Sequence, residues 1–305
     1  CEAYGSLHPN MISGRVWFLV RLGPPMTRKR FAEALVFTLG IVALLPAGCS
    51  RTTLPNEILA EPVASQNLVE VETPSRTDLI PSSGTSSFPG IVRWETISPL
   101  SHDVAIMDTV FWEPADTESL RSVIFESPDI KGSRVLEIGT GSGLVSLCCL
   151  QAGAAHVVAT DVNLNALHNV RYNTVEFFGD DTRLDARLVP RRQPGAWTVI
   201  KPDERFDFII SNPPWENDKP KIVEEFALYD PEFLLLDSLV TGARERLRPG
   251  GRMWLAYGCV TAIRRIEELA TQANLRYIQR DDRSLDELPE LFLPGMLVEL
   301  TVPAE

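Results

Sequence analysis

"RVLEIGTGSGLVSLCCLQAGAAHVVATD", residues 134–161, decides the fold. An apolar run of strand length, 135–138, meets glycines at 139, 141 and 143. A longer apolar stretch follows and ends near Gly153, and a second short run closes at Asp161. Four to six apolar residues bounded by turn formers read as a buried strand, and the longer stretch between them as a helix. Two strands joined by a helix pair in parallel through a right-handed crossover, and both faces of such a sheet are covered. The alternation continues on both sides. "NLNALHNVRYNTVEF" predicts a helix, "DARLVP" and "FDFIIS" strands, and "PEFLLLDSLVTGARERL" a long helix closed by "RPGG". "RMWLAYG" predicts a strand, "TAIRRIEELATQA" a helix, and "LRYIQ" and "MLVELTV" the last strands. Upstream, "IVRWETISPL" and "HDVAIMDTVFW" read as short strands and "ADTESLRSVIF" as a helix with an acidic first turn. The fold class is therefore α/β, a doubly wound, mostly parallel sheet.

The 305 residues are 44% hydrophobic, enough for a substantial core. A formal net charge of -12 argues against broad electrostatic capture of nucleic acid, which depends on Lys and Arg neutralising phosphates. "RLVPRRQPG" (187–195) is the one tight basic stretch, and it reads more simply as a solvated loop. Neither the five cysteines nor the four histidines show metal-ligand spacing, and no metal is expected. Residues 1–49 read as a leader. From Met26, "MTRKRFAEALVFTLGIVALLPAGCS" has a basic start, an apolar stretch and small residues before Cys49, as in a secretory or lipoprotein signal, so any membrane contact is expected only through residues 26–49. Residues 50–90, rich in Pro, Ser, Thr and Glu, read as a disordered linker. The folded domain is expected over 91–305, with 91–125 as an extension ahead of a 126–305 core.

The glycine loop lies where open parallel sheets bind ligands, at the carboxyl ends of the strands, and glycines there let backbone approach the ligand closely. Asp161, about 20 residues on, can accept hydrogen bonds from both ribose hydroxyls of a nucleoside cofactor. NAD and other nucleoside cofactors share these features. Glu137 favours S-adenosylmethionine, because an acid there repels a pyrophosphate and suits an ammonium and a sulfonium. "NPPW", Asn212 to Trp215, ends the next strand but one. An amide or aromatic amino nitrogen is a poor nucleophile because its lone pair is delocalised. Two fixed acceptors, the Asn212 side-chain oxygen and the Pro213 carbonyl, would draw that lone pair out. Pro213 and Pro214 hold the carbonyl rigidly and offer no competing N–H. Trp215 offers a flat face for stacking; the plainer reading makes it core filling.

Together "VLEIGTGSG", "VVATD" and "FDFIISNPPW" resemble a class I S-adenosylmethionine-dependent methyltransferase. More narrowly they resemble the branch that methylates planar amide or amino nitrogens, which includes release-factor glutamine methyltransferases and adenine and guanine N-methyltransferases. The resemblance covers roughly residue 110 to the end. It implies a Rossmann-like seven-stranded sheet with a C-terminal antiparallel strand. It also implies cofactor contacts at Glu137, Gly139, Thr140, Gly141, Gly143, Asp161 and Asn212, with Pro114 and Thr117 added from "VFWEPADTESL". Three departures stand out: no acid follows "DARLVP" where many members contact adenine, Trp215 replaces the commoner tyrosine or phenylalanine, and the residues before 91 do not read as the helical N-terminal domain of the release-factor enzymes. The expected activity is N-methylation of a protein glutamine, in a release factor or ribosomal protein, in the cytoplasm. Methylation of a base in rRNA, tRNA or DNA is the alternative, and a non-catalytic membrane-anchored relative or a nicotinamide oxidoreductase is a remoter one.

Overall fold

The computed structural model describes residues 90–303. The leader, with its signal-like segment 26–49, and residues 50–89 of the linker lie outside the described residues. Among the described residues no helix is long and apolar enough to cross a membrane.

Seven strands form one sheet: β3 (Arg134–Ile138), β4 (His156–Asp161), β5 (Leu184–Leu188), β6 (Phe206–Ser211), β7 (Leu247–Cys259), β8 (Arg276–Gln279) and β9 (Leu291–Thr301). Their order is β5-β4-β3-β6-β7-β9-β8. The first five are mutually parallel, and β9 runs antiparallel to both β7 and β8. This is the doubly wound sheet with a C-terminal antiparallel strand. Among the described residues five α-helices cover it: α1 (Glu118–Glu126), α2 (Leu144–Gln151), α3 (Leu164–Phe178), α4 (Leu234–Arg246) and α5 (Val260–Gln272).

Strand alternation divides the core in two. Val135, Val157, Ala159, Phe208 and Ile210 pack with α1, α2 and α3 on one face. Leu136, Val158, Ile209, Met253 and Leu255 pack with α4 and α5 on the other. With both faces covered, the strands had to be apolar at consecutive positions, which is how they read in the sequence. The chain leaves β3 toward β4 and β5 on one side, and β6 and β7 build the other. The crevice between the carboxyl ends of β3 and β6 is therefore the topological switch point, where ligands of such sheets bind.

A separate antiparallel pair, β1 (Ile91–Glu95) and β2 (Val104–Met107), precedes α1. Its inner edge is closed by α3 and by no strand. Ala105 N and Met107 N donate to the side-chain oxygens of Asn173 (2.9 Å) and Asn169 (2.8 Å), and both amide groups donate back to Ala105 O. These asparagines are fully buried one helical turn apart, so each edge group finds a partner.

One local expectation is corrected. "RPGG" does not form a turn between helix and strand but lies inside β7, where Leu247 already pairs with Phe206 and the register slips before Arg252. Gly250 supplies the positive φ of 76° that this irregularity requires.

Candidate active site

The glycine loop is folded back on β4. The amides of Gly139 and Thr140 both donate to Thr160 O (2.9 and 3.0 Å), and Gly141 N donates to Asp161 Oδ2 (2.9 Å). Gly139, Gly141 and Gly143 all have positive φ. Gly143 also meets a packing limit, because a Cβ there would lie 2.6 Å from Val170 Cγ2 on α3. Glu137 is only 4% exposed, and accepts from Thr140 Oγ1 (2.8 Å) and from the Ser146 hydroxyl of α2. Burial pushes its carboxyl up to about 7; the two hydroxyls counter this, and the Asp161 charge adds to it. Asp161 is likewise raised by burial, countered by backbone N–H groups of Asn163 and Gly141.

Glu137, Gly139, Thr140, Gly141 and Asp161 line a cavity of about 460 Å³; Gly143, expected to join them, packs on Val170 and lies outside the lining. One wall comes from the segment after β2, Thr109 to Pro114 together with Thr117, whose hydroxyl donates to Pro114 O (3.2 Å). Thr109 has φ +63°, an unfavourable conformation for a β-branched residue. It is held there by the amide of Asn163, which donates to Thr109 O (2.9 Å), and by that of Asn165, which donates to Thr109 Oγ1 (2.9 Å). Sequence reading missed both asparagines; the one available signal was an Asn placed to cap the helix that follows Asp161. Trp112 lines the cavity, whereas Trp94 is 49% exposed and meets Tyr172 edge-on.

Opposite the glycine loop, Asn212, Pro213 and Pro214 reach the cavity as β6 ends. Ser211 Oγ donates to Ile138 O (2.7 Å), fixing this strand end against β3. Asn212 Oδ1 is buried without a hydrogen-bond partner, an arrangement that costs about 1–3 kcal/mol unless a ligand donor fills it. Trp215 is corrected. Its indole is 1% exposed and absent from the cavity wall, and it donates to Ala256 O (3.3 Å). It fits only because Gly258 and Gly295 lack side chains: a Cβ at Gly258 would lie 2.1 Å from Trp215 Cζ3. No face is open for a substrate to stack on, so Trp215 supports the strand end from behind.

The third wall follows β6. Glu216 N donates to Leu228 O (3.0 Å) and Asp230 N to Glu216 O (2.8 Å), closing a loop whose Pro220, Val223, Glu224 and Phe226 face the cavity. Asn217, Asp218 and Lys219 stay outside the lining, exposed. Asp230 caps α4, accepting from Leu235 N (2.9 Å) and Leu236 N (3.0 Å), and burial raises its carboxyl. Beyond β5, Val189, Gln193, Pro194, Gly195 and Thr198 complete the cavity. They occupy the place where the sequence lacked an acid, and no local pattern marked them. Among the described residues no group of His, Cys, Asp and Glu could hold a metal ion.

A nucleoside cofactor with cationic groups fits these walls. Asp161 accepts from Gly141 N of the loop and from the backbone N–H groups of Asn163 and Val162 beyond β4, and a carboxylate with about four lone-pair sites still has room for a hydroxyl. A Cβ at Gly139 would meet nothing within 4 Å, so the loop leaves room for a ligand against its backbone. The lining carries acids and no Lys, Arg or His. That charge suits a sulfonium and an ammonium and opposes a pyrophosphate.

The pattern that defines the family described as "Methyltransferase small domain" matches residues 117–268. The chain is similar to the release factor glutamine methyltransferase of Cereibacter sphaeroides, 31% identical over 62% of this chain and 66% of that protein. It is also similar to that of Bordetella pertussis, 30% identical over 59% of this chain and 67% of that protein. With the bifunctional methyltransferase of Rickettsia bellii it shares 28% identity over 47% of its length, and spans only 27% of that longer protein. Glycine loop, paired acid, strand order and these matches agree, and the chain belongs to the S-adenosylmethionine-dependent methyltransferases of the methyltransferase small-domain family.

Proposed function

We propose that this protein methylates a planar NH2 group, the side-chain amide of a protein glutamine, with a release factor or ribosomal protein as substrate. The orphaned Asn212 Oδ1 carries the reading: it is a buried acceptor on a residue that lines the cavity beside Pro213 and Pro214, and no group of the described residues bonds it. An NH2 group placed there donates to Asn212 Oδ1 and, on this reading, to the Pro213 carbonyl. Both bonds strengthen as the nitrogen gains positive charge. Held in line, the nitrogen reacts as in a unimolecular step. Bound S-adenosylmethionine supplies an electrophilic methyl; Asp161 and the glycine loop would hold its ribose end and Glu137 its charged end. The similarity to glutamine methyltransferases supports a protein substrate. So does a cavity wall without cations, which gives no counter-charge to phosphates. This reading puts the enzyme in the cytoplasm, with its cofactor and with newly made translation proteins.

The test is transfer of labelled methyl by the full chain to release factors, ribosomal proteins, tRNA, rRNA and DNA. Label in a protein glutamine is expected; label in nucleic acid alone would replace this reading by base methylation. That second reading has one structural point in its favour, the exposed Arg191 and Arg192 beside the lining residue Gln193.

A further inference from the structure

The mouth of the cavity has a composition that the transfer chemistry does not require. Glu113 and Glu224 line the cavity, and no Lys, Arg or His does; Asp230, also in its wall, is buried and holds the start of α4. The loop between β6 and α4 carries Glu216, Asp218, Glu224, Glu225, Asp230 and Glu232 against only Lys219 and Lys221. Among the described residues the Glu224 side chain has no ion-pair partner, and its backbone begins the short helical turn Glu224–Ala227. On the same loop and at the start of α4, Ile222 and Leu234 are 56% and 60% exposed, beside the lining residues Val223 and Phe226. Large apolar side chains exposed beside a cavity, on a loop whose charge is mainly acidic, mark a surface shaped for a partner.

We infer that this mouth docks an electropositive polypeptide segment, which lays an apolar side chain on Ile222 and Leu234 while its basic residues face Glu113, Glu224 and Glu232. The inference rests on the glutamine reading above and names the kind of sequence that surrounds the methylated residue. Charge complementarity selects the occupant: a polyanion is repelled by this rim, an acidic loop likewise, and a neutral one gains only the apolar contact. Because the charges lie at the rim, they act mainly on encounter and on KM, and are screened by salt.

Two peptides with the same central glutamine and the same adjacent leucine, one flanked by lysines and one by glutamates, test this with the full chain. The lysine-flanked peptide is expected to show roughly ten-fold higher kcat/KM at low ionic strength, the effect of a few rim charges acting together. The gap should close near 1 M salt, where the Debye length is about 3 Å. In a Glu224→Lys, Glu232→Lys double variant the preference should vanish or reverse, with S-adenosylhomocysteine binding unchanged as the sign of an intact fold. Equal turnover of the two peptides, or a preference indifferent to the charge reversal, overturns the docking inference and leaves glutamine methylation standing. If neither peptide is methylated and nucleic acid is, the glutamine reading falls and takes the inference with it.

Discussion

Replacing Glu137 by glutamine should make the cofactor-free protein more stable at neutral and alkaline pH. Glu137 is 4% exposed, and its carboxyl rises from the ordinary 4.5 to about 7, chiefly through burial. The folded protein thus binds this proton more tightly than the unfolded chain. The resulting stabilisation is complete below pH 4.5 and is lost as pH climbs through 7, leaving a buried carboxylate that costs about 3 kcal/mol. Glu137→Gln keeps the volume and an oxygen for Thr140 and Ser146 to donate to, but never ionises. Urea unfolding of parent and variant without cofactor, at about pH 5 and about pH 8, should show the variant gaining about 2–3 kcal/mol on the parent across that interval. Binding of S-adenosylhomocysteine should weaken in the same variant, because the carboxylate that destabilises the empty site is the one proposed to face the ligand's ammonium. A stability difference that does not change with pH would refute the reasoning and place Glu137 in a far more polar environment than its burial indicates.

Asn212→Ala should lower turnover by roughly 10²–10³, the usual cost of losing one pre-organised polar group, while calorimetry with S-adenosylhomocysteine changes little; unchanged turnover would reduce the motif to scaffolding. Trp215→Ala should destabilise by about 3–5 kcal/mol in chemical denaturation, as for other buried large aromatics. A variant that keeps its stability and loses turnover would restore a stacking role. Gly143→Ala combines a φ of 85° with a 2.6 Å approach to Val170, so thermal melting should show a loss of about 1–3 kcal/mol by backbone strain alone.

What was legible in the sequence was local. Consecutive apolar residues bounded by glycines announced the parallel strands, because a strand covered on both faces has no polar side. The loop from Gly139 to Gly143 and its acid Asp161 were readable for the same reason, since their spacing is set by one strand, one turn and one helix. The misreadings depend on partners distant in sequence. Trp215 looked available until Gly258 and Gly295, from β7 and β9, were seen to make room for it. Asn169 and Asn173 were unremarkable in an amphipathic helix, yet they close the edge of β2. The cavity wall around Gln193 and Thr198 lies in a loop with no periodicity, and only the trace of the chain brings it to the site.

The placement of β9 between β7 and β8 has a consequence for how the chain can be assembled. β8 bonds within the sheet to β9 alone, so a growing polypeptide that has emerged only to residue 290 has nowhere to dock β8 and presents β7 with one side bare. Such an open margin invites pairing with another molecule. The eleven residues of β9 therefore act as a closing strip: until they are in place the sheet is unfinished on its far side, however complete the pocket at its centre.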